Sequence, residues 1–533
     1  MPSSVIRAHL SMTLSVLILC GARANAETCA GISKYALSDT VVTSAETIPA
    51  GKPEAAPPMP PSDFTLPEHC KVVGSIHQRI GADKETYAIQ FELRLPTNWN
   101  GKFLFQGGGG LDGVVRPATG MIGFGALPAL ARGYAVVSTD AGHQGISNSR
   151  FGREQQARLD YAYQAIGEVT KIAKEILARY YAKPASHSYF AGCSNGGRQG
   201  LMAAQRFPFE FDGVVAGDPG FRLSHAAIGE AWDTETFESI APVDASGRPI
   251  LSKAFSESDL ELVSKAVLDQ CDALDGIKDG EINNLSACKF DPEVLVCGQS
   301  EPTHCLSRKQ IGALKRSFNG AHSSSGEMLY TSWPYDAGIS SMAWRSWKLG
   351  TSETAESNAA NVTLGASSLR DYFVHPFLPD FDPMHLNYDK IAAQVEETHA
   401  INDATSTDYG TFAARGGKVI VYQGMSDPVF SANDMIQYYD RFIHDNGGVQ
   451  NAQSIARLFL IPGMAHCAMG PATDQFDALT ELEKWVEKGQ APQRILATGR
   501  ALPNRPRPLC PYPQYASYVA TGNPEDAANF VCK

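Results

Sequence analysis

The chain has 533 residues, 43% of them hydrophobic and 19% charged, which is ample for a large core and long for one plain domain, so a core with an insertion is expected. A formal net charge of −12 without any run of Lys and Arg sets nucleic acid aside as a partner, because counterion release needs clustered cations.

At the N-terminus Arg7 precedes an apolar stretch over 10–20 that is too short to span a bilayer, and Ala24-Asn25-Ala26 fits small-residue cleavage. Residues 1–26 therefore read as a signal peptide, the mature chain starting near Glu27 and destined for secretion or the periplasm. A lipoprotein reading through Cys20 is disfavoured by Leu19, which stands where a small residue is expected. No later segment is long and apolar enough for a membrane helix. Ten cysteines remain after residue 26. An even number in an oxidising compartment favours disulfides, and the absence of a CxxC pair argues against a thiolate metal site.

Residues 47–61, rich in Pro and Ala, read as an extended lead-in after which the fold begins. Alternation predicts a strand over 87–95, and short apolar runs predict strands over 102–106, ending in Gly107-Gly108-Gly109-Gly110, and over 134–139. Helical spacing takes over at 158–180, followed by a strand at 187–191, a helix at 197–205 and a strand at 211–216. This switching of period marks βαβ units. The rhythm stops over 220–415, an aromatic-, Ser/Asn- and Cys-rich stretch that reads as an inserted lid. It resumes with a strand at 418–422, a helix at 433–444, a strand at 456–461 and a helix at 474–488. The expected architecture is an α/β-hydrolase core of residues 27–219 and 416–533 interrupted by a large lid domain.

Gly192-Cys193-Ser194-Asn195-Gly196-Gly197 follows a predicted strand and opens a predicted helix, the context of a nucleophile elbow. A serine hydroxyl needs a base. His466, just beyond the strand at 456–461, is the best-placed histidine, since open α/β sheets build sites at the C-terminal ends of their strands. Two acids can orient it, Asp427 after the strand at 418–422 and Asp218 after that at 211–216; the usual chain order favours Asp427. The backbone N–H of Asn195 and the glycine loop, at Gly109 and Gly110, are the expected oxyanion donors. A reading with Cys193 as nucleophile and one as a non-catalytic binding protein on a hydrolase scaffold are the alternatives.

Together with Ser426-Asp427-Pro428 and Ala465-His466-Cys467, these residues resemble the tannase and feruloyl esterase family, which includes bacterial hydrolases of mono(hydroxyethyl) terephthalate. The resemblance covers essentially the whole mature chain and implies Ser194, Asp427 and His466 as the triad. It also implies disulfides Cys193 to Cys467, Cys29 to Cys70, Cys271 to Cys288, Cys297 to Cys305 and Cys510 to Cys532.

The run from Cys271 to Ile282 packs four carboxylates and two glycines into a turn, a composition suited to Ca²⁺ although its spacing is not that of an EF-hand. The resemblance implies a structural calcium in the lid, on the carboxylates of Asp272, Asp275 and Asp279 and the carbonyls of Ile277 and Glu281. It further implies small esters of aromatic acids as substrates, hydroxycinnamoyl esters first, then galloyl esters, then terephthalate monoesters. Lid aromatics (Tyr330, Trp333, Tyr335, Trp344, Trp347, Tyr372, Phe373, Phe377) are candidates to flank a planar acyl group. Phe430 beside the acid, and Arg370, are the specific expectations for substrate contact.

Overall fold

The computed structural model describes residues 28–53, 64–121, 123, 125–146, 148–298 and 304–533; the expected signal peptide and most of the Pro/Ala-rich lead-in lie outside them. One nine-stranded sheet has the order β1-β2-β3-β5-β4-β6-β7-β8-β9. Its strands are β1 Thr40–Ile48, β2 His69–Ile80, β3 Thr86–Pro96, β4 Lys102–Gln106, β5 Ala135–Thr139, β6 His187–Cys193, β7 Gly213–Gly217, β8 Lys418–Gly424 and β9 Ala456–Ile461. From β1 to β5 neighbours run antiparallel, and from β5 through β4 to β9 they run parallel.

The parallel strands are covered on both faces, so β5 and β7 are buried at every residue and read as continuous apolar runs. Alternation sends Phe103, Phe105, Val137, Phe190 and Val421 to one face, under the helices Ala165–Tyr180, Asn195–Arg206 and Ala432–Asp445. Leu104, Val136, Tyr189, Val215 and Ile420 go to the other, under the helix Ala478–Lys488.

Two sequence expectations are corrected. The fold does not wait for the end of the Pro/Ala-rich stretch: β1 precedes most of it and pairs with β2. As an edge strand it buries no residue fully, so it lacks the two-period signal. The helix expected over 158–180 starts at Gln155 and is interrupted by a π-turn at Asp160–Gln164. There the carbonyls of Tyr161 and Ala162 accept from the buried Arg198 guanidinium at 3.2 and 2.8 Å, and Asp160 pairs with Arg79 at 3.0 Å.

Between β7 and β8 the chain builds a second hydrophobic core around Phe237, Val263, Leu314, Tyr330, Trp344 and Tyr372. The exit and return of this segment are tied by the Ala404 N–H donating to the Phe221 carbonyl at 2.7 Å. Ala404, Tyr409 and Phe412 already pack in the sheet-side core.

Candidate active site

β6 ends at Cys193 and the next helix begins at Asn195, leaving Ser194 alone in the turn at φ 65°, ψ −128°. A left-handed φ at a residue with a side chain is strained and persists only where its surroundings enforce it. Here they do so by close backbone approach. A Cβ on Gly192 would lie 2.8 Å from the Gly196 carbonyl carbon, and one on Gly196 would lie 2.6 Å from the Gly108 oxygen.

His466 sits on the loop after β9, with Nδ1 2.9 Å from Asp427 Oδ2. Asp427 accepts the N–H groups of Val429 and Phe430 on Oδ1 at 2.7 and 3.1 Å, and the Gln423 amide on Oδ2 at 3.2 Å. With the acid acting as acceptor throughout, the imidazole proton belongs on Nδ1 and Nε2 keeps its lone pair. That Nε2 is buried and without a partner among the described residues. The other acid, Asp218, makes no hydrogen bond to the histidine. Its Oδ1 accepts the Gly424 N–H at 2.6 Å and its Oδ2 the Cys467 N–H at 3.0 Å. Burial and the neighbouring Asp427 hold its carboxyl well above the usual carboxylate range.

The disulfides are the five that the resemblance implies. Cys193 and Cys467, 274 residues apart, fasten the serine turn to the histidine loop.

Ser194 and His466 line one cavity of about 860 Å³ together with Gly107, Gly108, Gly109 and Gly110. The Gly109 N–H, expected as an oxyanion donor, instead donates to Asp112 Oδ1 at 3.0 Å, and that of Gly108 donates to Gln199 Oε1 at 2.9 Å. The N–H groups of Asn195, at the helix start, and of Gly110 have no acceptor among the described residues. Asp112 also takes the side-chain amides of Asn195 at 2.9 Å and Gln199 at 2.6 Å, so one buried carboxyl ties the glycine loop to the helix that follows Ser194. Burial raises its pKa. Arg198 completes the tie, donating to Asn195 Oδ1 at 2.6 Å. Sequence reading passed over Asp112 and Arg198; an acid two residues after a glycine run and an arginine within the helix that follows Ser194 were the available signals.

Phe430 lines the cavity with its ring centroid 5.3 Å from that of His466, and Trp347 stands 5.6 Å from the same imidazole, both edge-on. Of the aromatics between β7 and β8, Trp347 and Phe373 line the cavity, whereas Tyr330, Trp333, Trp344 and Tyr372 build the second core. Arg370 is not among the cavity residues. Its guanidinium is taken by the adjacent buried Asp371, at 2.8 and 3.3 Å.

In the acidic loop over 272–283 Asp272 accepts the N–H groups of Asp279 and Gly280, and Asp275 accepts those of Ile277 and Asn283. Asp279 pairs with Arg507 at 2.7 Å. The three Asp side chains are thus not drawn into one tight cluster; among the described residues such groupings occur at Cys193, Asp218 and Cys467 and at His225, His399 and Asp403. Burial pushes Asp275 up to about 6 and Glu281 up to about 7, with Asp279 adding to both. An all-oxygen donor set wrapped by left-handed turns at Gly276 and Gly280 fits a hard divalent cation in its chemistry.

Residues 70–533 match the family model described as tannase and feruloyl esterase. The chain is 42% identical over 529 residues to a mono(2-hydroxyethyl) terephthalate hydrolase of Piscinibacter sakaiensis, covering 90% of this chain and 87% of that one. It is 29% identical to a probable feruloyl esterase of Arthroderma benhamiae, with 89% and 88% covered. Among solved structures, feruloyl esterase B from Aspergillus oryzae superposes with a TM-score of 0.79 at 27% identity, covering 95% of this chain and 99% of that one.

Proposed function

Because the chain belongs to the tannase and feruloyl esterase family of ester hydrolases, we propose that it is an exported serine carboxylesterase acting on esters of aromatic acids, with hydroxycinnamoyl esters as its principal substrates. The carrying observation is the free Nε2 of an imidazole oriented by Asp427, in the same cavity as a serine held at φ 65°. In this reading Ser194 Oγ attacks the ester carbonyl carbon while Nε2 takes its proton. Asp427 stabilises the imidazolium without itself taking the proton. The carbonyl oxygen, now negative, is received by the N–H groups of Asn195 and Gly110, each such donor being worth about 3 kcal/mol. Collapse breaks the bond to the alkoxy oxygen, which leaves with the proton from His466. Water then attacks the acyl-enzyme by the same route and returns Ser194.

Export is supported by the five disulfides, which need an oxidising compartment. Nucleophilic attack by Cys193 is disfavoured because its sulfur is bonded to Cys467, and a purely binding role is disfavoured by a full complement of nucleophile, base and acid. Calcium would be held in the lid by Asp272, Asp275 and Asp279 with the carbonyls of Ile277 and Glu281, where it would offset carboxylates crowded in one loop and brace the turn. A second substrate reading, terephthalate monoesters, is favoured by the 42% identical relative. Methyl ferulate, a galloyl ester, a terephthalate monoester and a long-chain acyl ester assayed side by side test the proposal. Turnover of the first at the highest kcat/KM is expected, and cleavage confined to the long-chain ester would refute it.

A further inference from the structure

The helix Leu223–Glu238 starts beside the nucleophile. The Gly220 N–H donates to the Ser194 carbonyl at 3.3 Å, and the Phe430 ring occupies the space over Gly220, 2.7 Å from where a Cβ would stand. From that point Leu223, Ala227 and Glu230 line the cavity. Their spacing of four and three residues places them in one stripe on the helix, apolar near the serine and ending in an acid about 10 Å further along the axis.

Glu230 is only 5% exposed, yet its carboxyl makes no hydrogen bond to any described residue. The nearby cation is engaged elsewhere: Lys348 pairs with Asp233, which also accepts the Ser317 hydroxyl at 2.6 Å. Facing Glu230 is the stretch Asn361–Ala366, which carries no charge and approaches so closely that a Cβ on Gly365 would lie 1.9 Å from Glu230 Oε2. A polar group with no protein partner is left to bond whatever fills the space beside it, and this one lies on the wall of the cavity that would receive substrate.

Resting on the serine esterase reading, we infer that Glu230 is a specificity-determining residue that recognises a hydroxyl on the substrate's acyl ring, at the end far from the ester. Burial pushes its carboxyl up to about 8, with Asp233 and Asp427 adding to the shift and Lys348 opposing it. At neutral pH it therefore presents both an O–H donor and a carbonyl acceptor, the complement of a phenolic hydroxyl. A ring carboxylate would instead put two acids in one desolvated site, where one must take up a proton. The class of substrate selected is the hydroxylated aryl or arylpropenoyl ester.

The test is the ratio of kcat/KM for methyl 4-hydroxycinnamate to that for methyl cinnamate, measured in the parent, Glu230→Gln and Glu230→Leu. Each ratio is taken within one preparation and does not depend on the fraction folded. The parent should favour the hydroxylated ester. Glu230→Leu should lower the ratio about tenfold or more, since an unpaired hydroxyl in an apolar site is costly. Glu230→Gln, which still donates and accepts, should stay within about threefold of the parent. Glu230→Met, closer in shape, provides the same measurement should the Leu variant fail to accumulate. An unchanged ratio in the variant that lacks a polar group overturns the inference, whereas a parent that cleaves neither cinnamate ester would overturn the hydroxycinnamoyl substrate reading on which it rests and leave the choice among the other aromatic esters to the substrate panel.

Discussion

Asp218 Oδ2 accepts the backbone N–H of Cys467 at 3.0 Å, so the acid that does not orient His466 holds the loop that carries it. Its other oxygen anchors Gly424 at the end of β8, three residues before Asp427. One buried carboxyl thereby sets His466 and Asp427 relative to each other.

Asp218→Ala should strip partners from two N–H groups and cost roughly 2–4 kcal/mol of stability, read by urea unfolding without reductant. The folded-state pKa of Asp218 is raised, so the native state binds its proton more tightly than the unfolded state does. Its contribution is full below the ordinary Asp range and is lost as pH rises towards the folded value. The stability of Asp218→Asn relative to the parent should therefore improve as pH rises from 4 upward, and a difference that is flat or declines with pH would contradict the raised pKa.

Ser194→Ala should lower kcat by about 10³-fold or more while leaving the thermal midpoint unchanged or slightly higher, because a hydroxyl that makes no structural hydrogen bond is removed from a strained turn. Steady-state assay on an aryl ester together with circular dichroism checks both halves. Near-parental turnover would remove Ser194 from the mechanism.

Opening the Cys193 to Cys467 bond, by Cys193→Ala with Cys467→Ala, should cost about 5 kcal/mol through the entropy of so long a loop. It should also lower kcat at temperatures where the variant remains folded, since the histidine loop loses its fastening to the serine turn. Recovery of free thiol at either position in fully active parent enzyme would contradict the role assigned to the bond.

Dialysed protein should retain about one calcium per chain, and a chelator should lower the thermal midpoint by roughly 5 °C or more. Asp275→Asn should reduce both effects. Elemental analysis and a thermal scan decide the matter without an activity assay, and calcium-free protein whose midpoint ignores chelator would eliminate the site.

The local order of the core was legible in the chain itself. The apolar runs that became β4, β5, β7, β8 and β9 are buried strands whose composition announces them, and glycines flanking Ser194 signal a turn that only small residues permit. Partners distant in sequence were not legible from the residues alone; the five disulfides and Asp427 as the partner of His466 came from the family resemblance. Chain order favoured Asp427 over Asp218 and the resemblance implied it, and the folded chain is what brings Asp427 to Nδ1 of His466. Arg370 was a free cation on paper, yet a buried neighbour takes its guanidinium; Gly109 looked like an open donor until Asp112 folded onto it. β1 gave no pattern because an edge strand exposes part of each face. Periodicity reports which face of an element is buried, whereas which groups meet in a site is decided by three-dimensional approach of loops hundreds of residues apart, and only the folded chain specifies it.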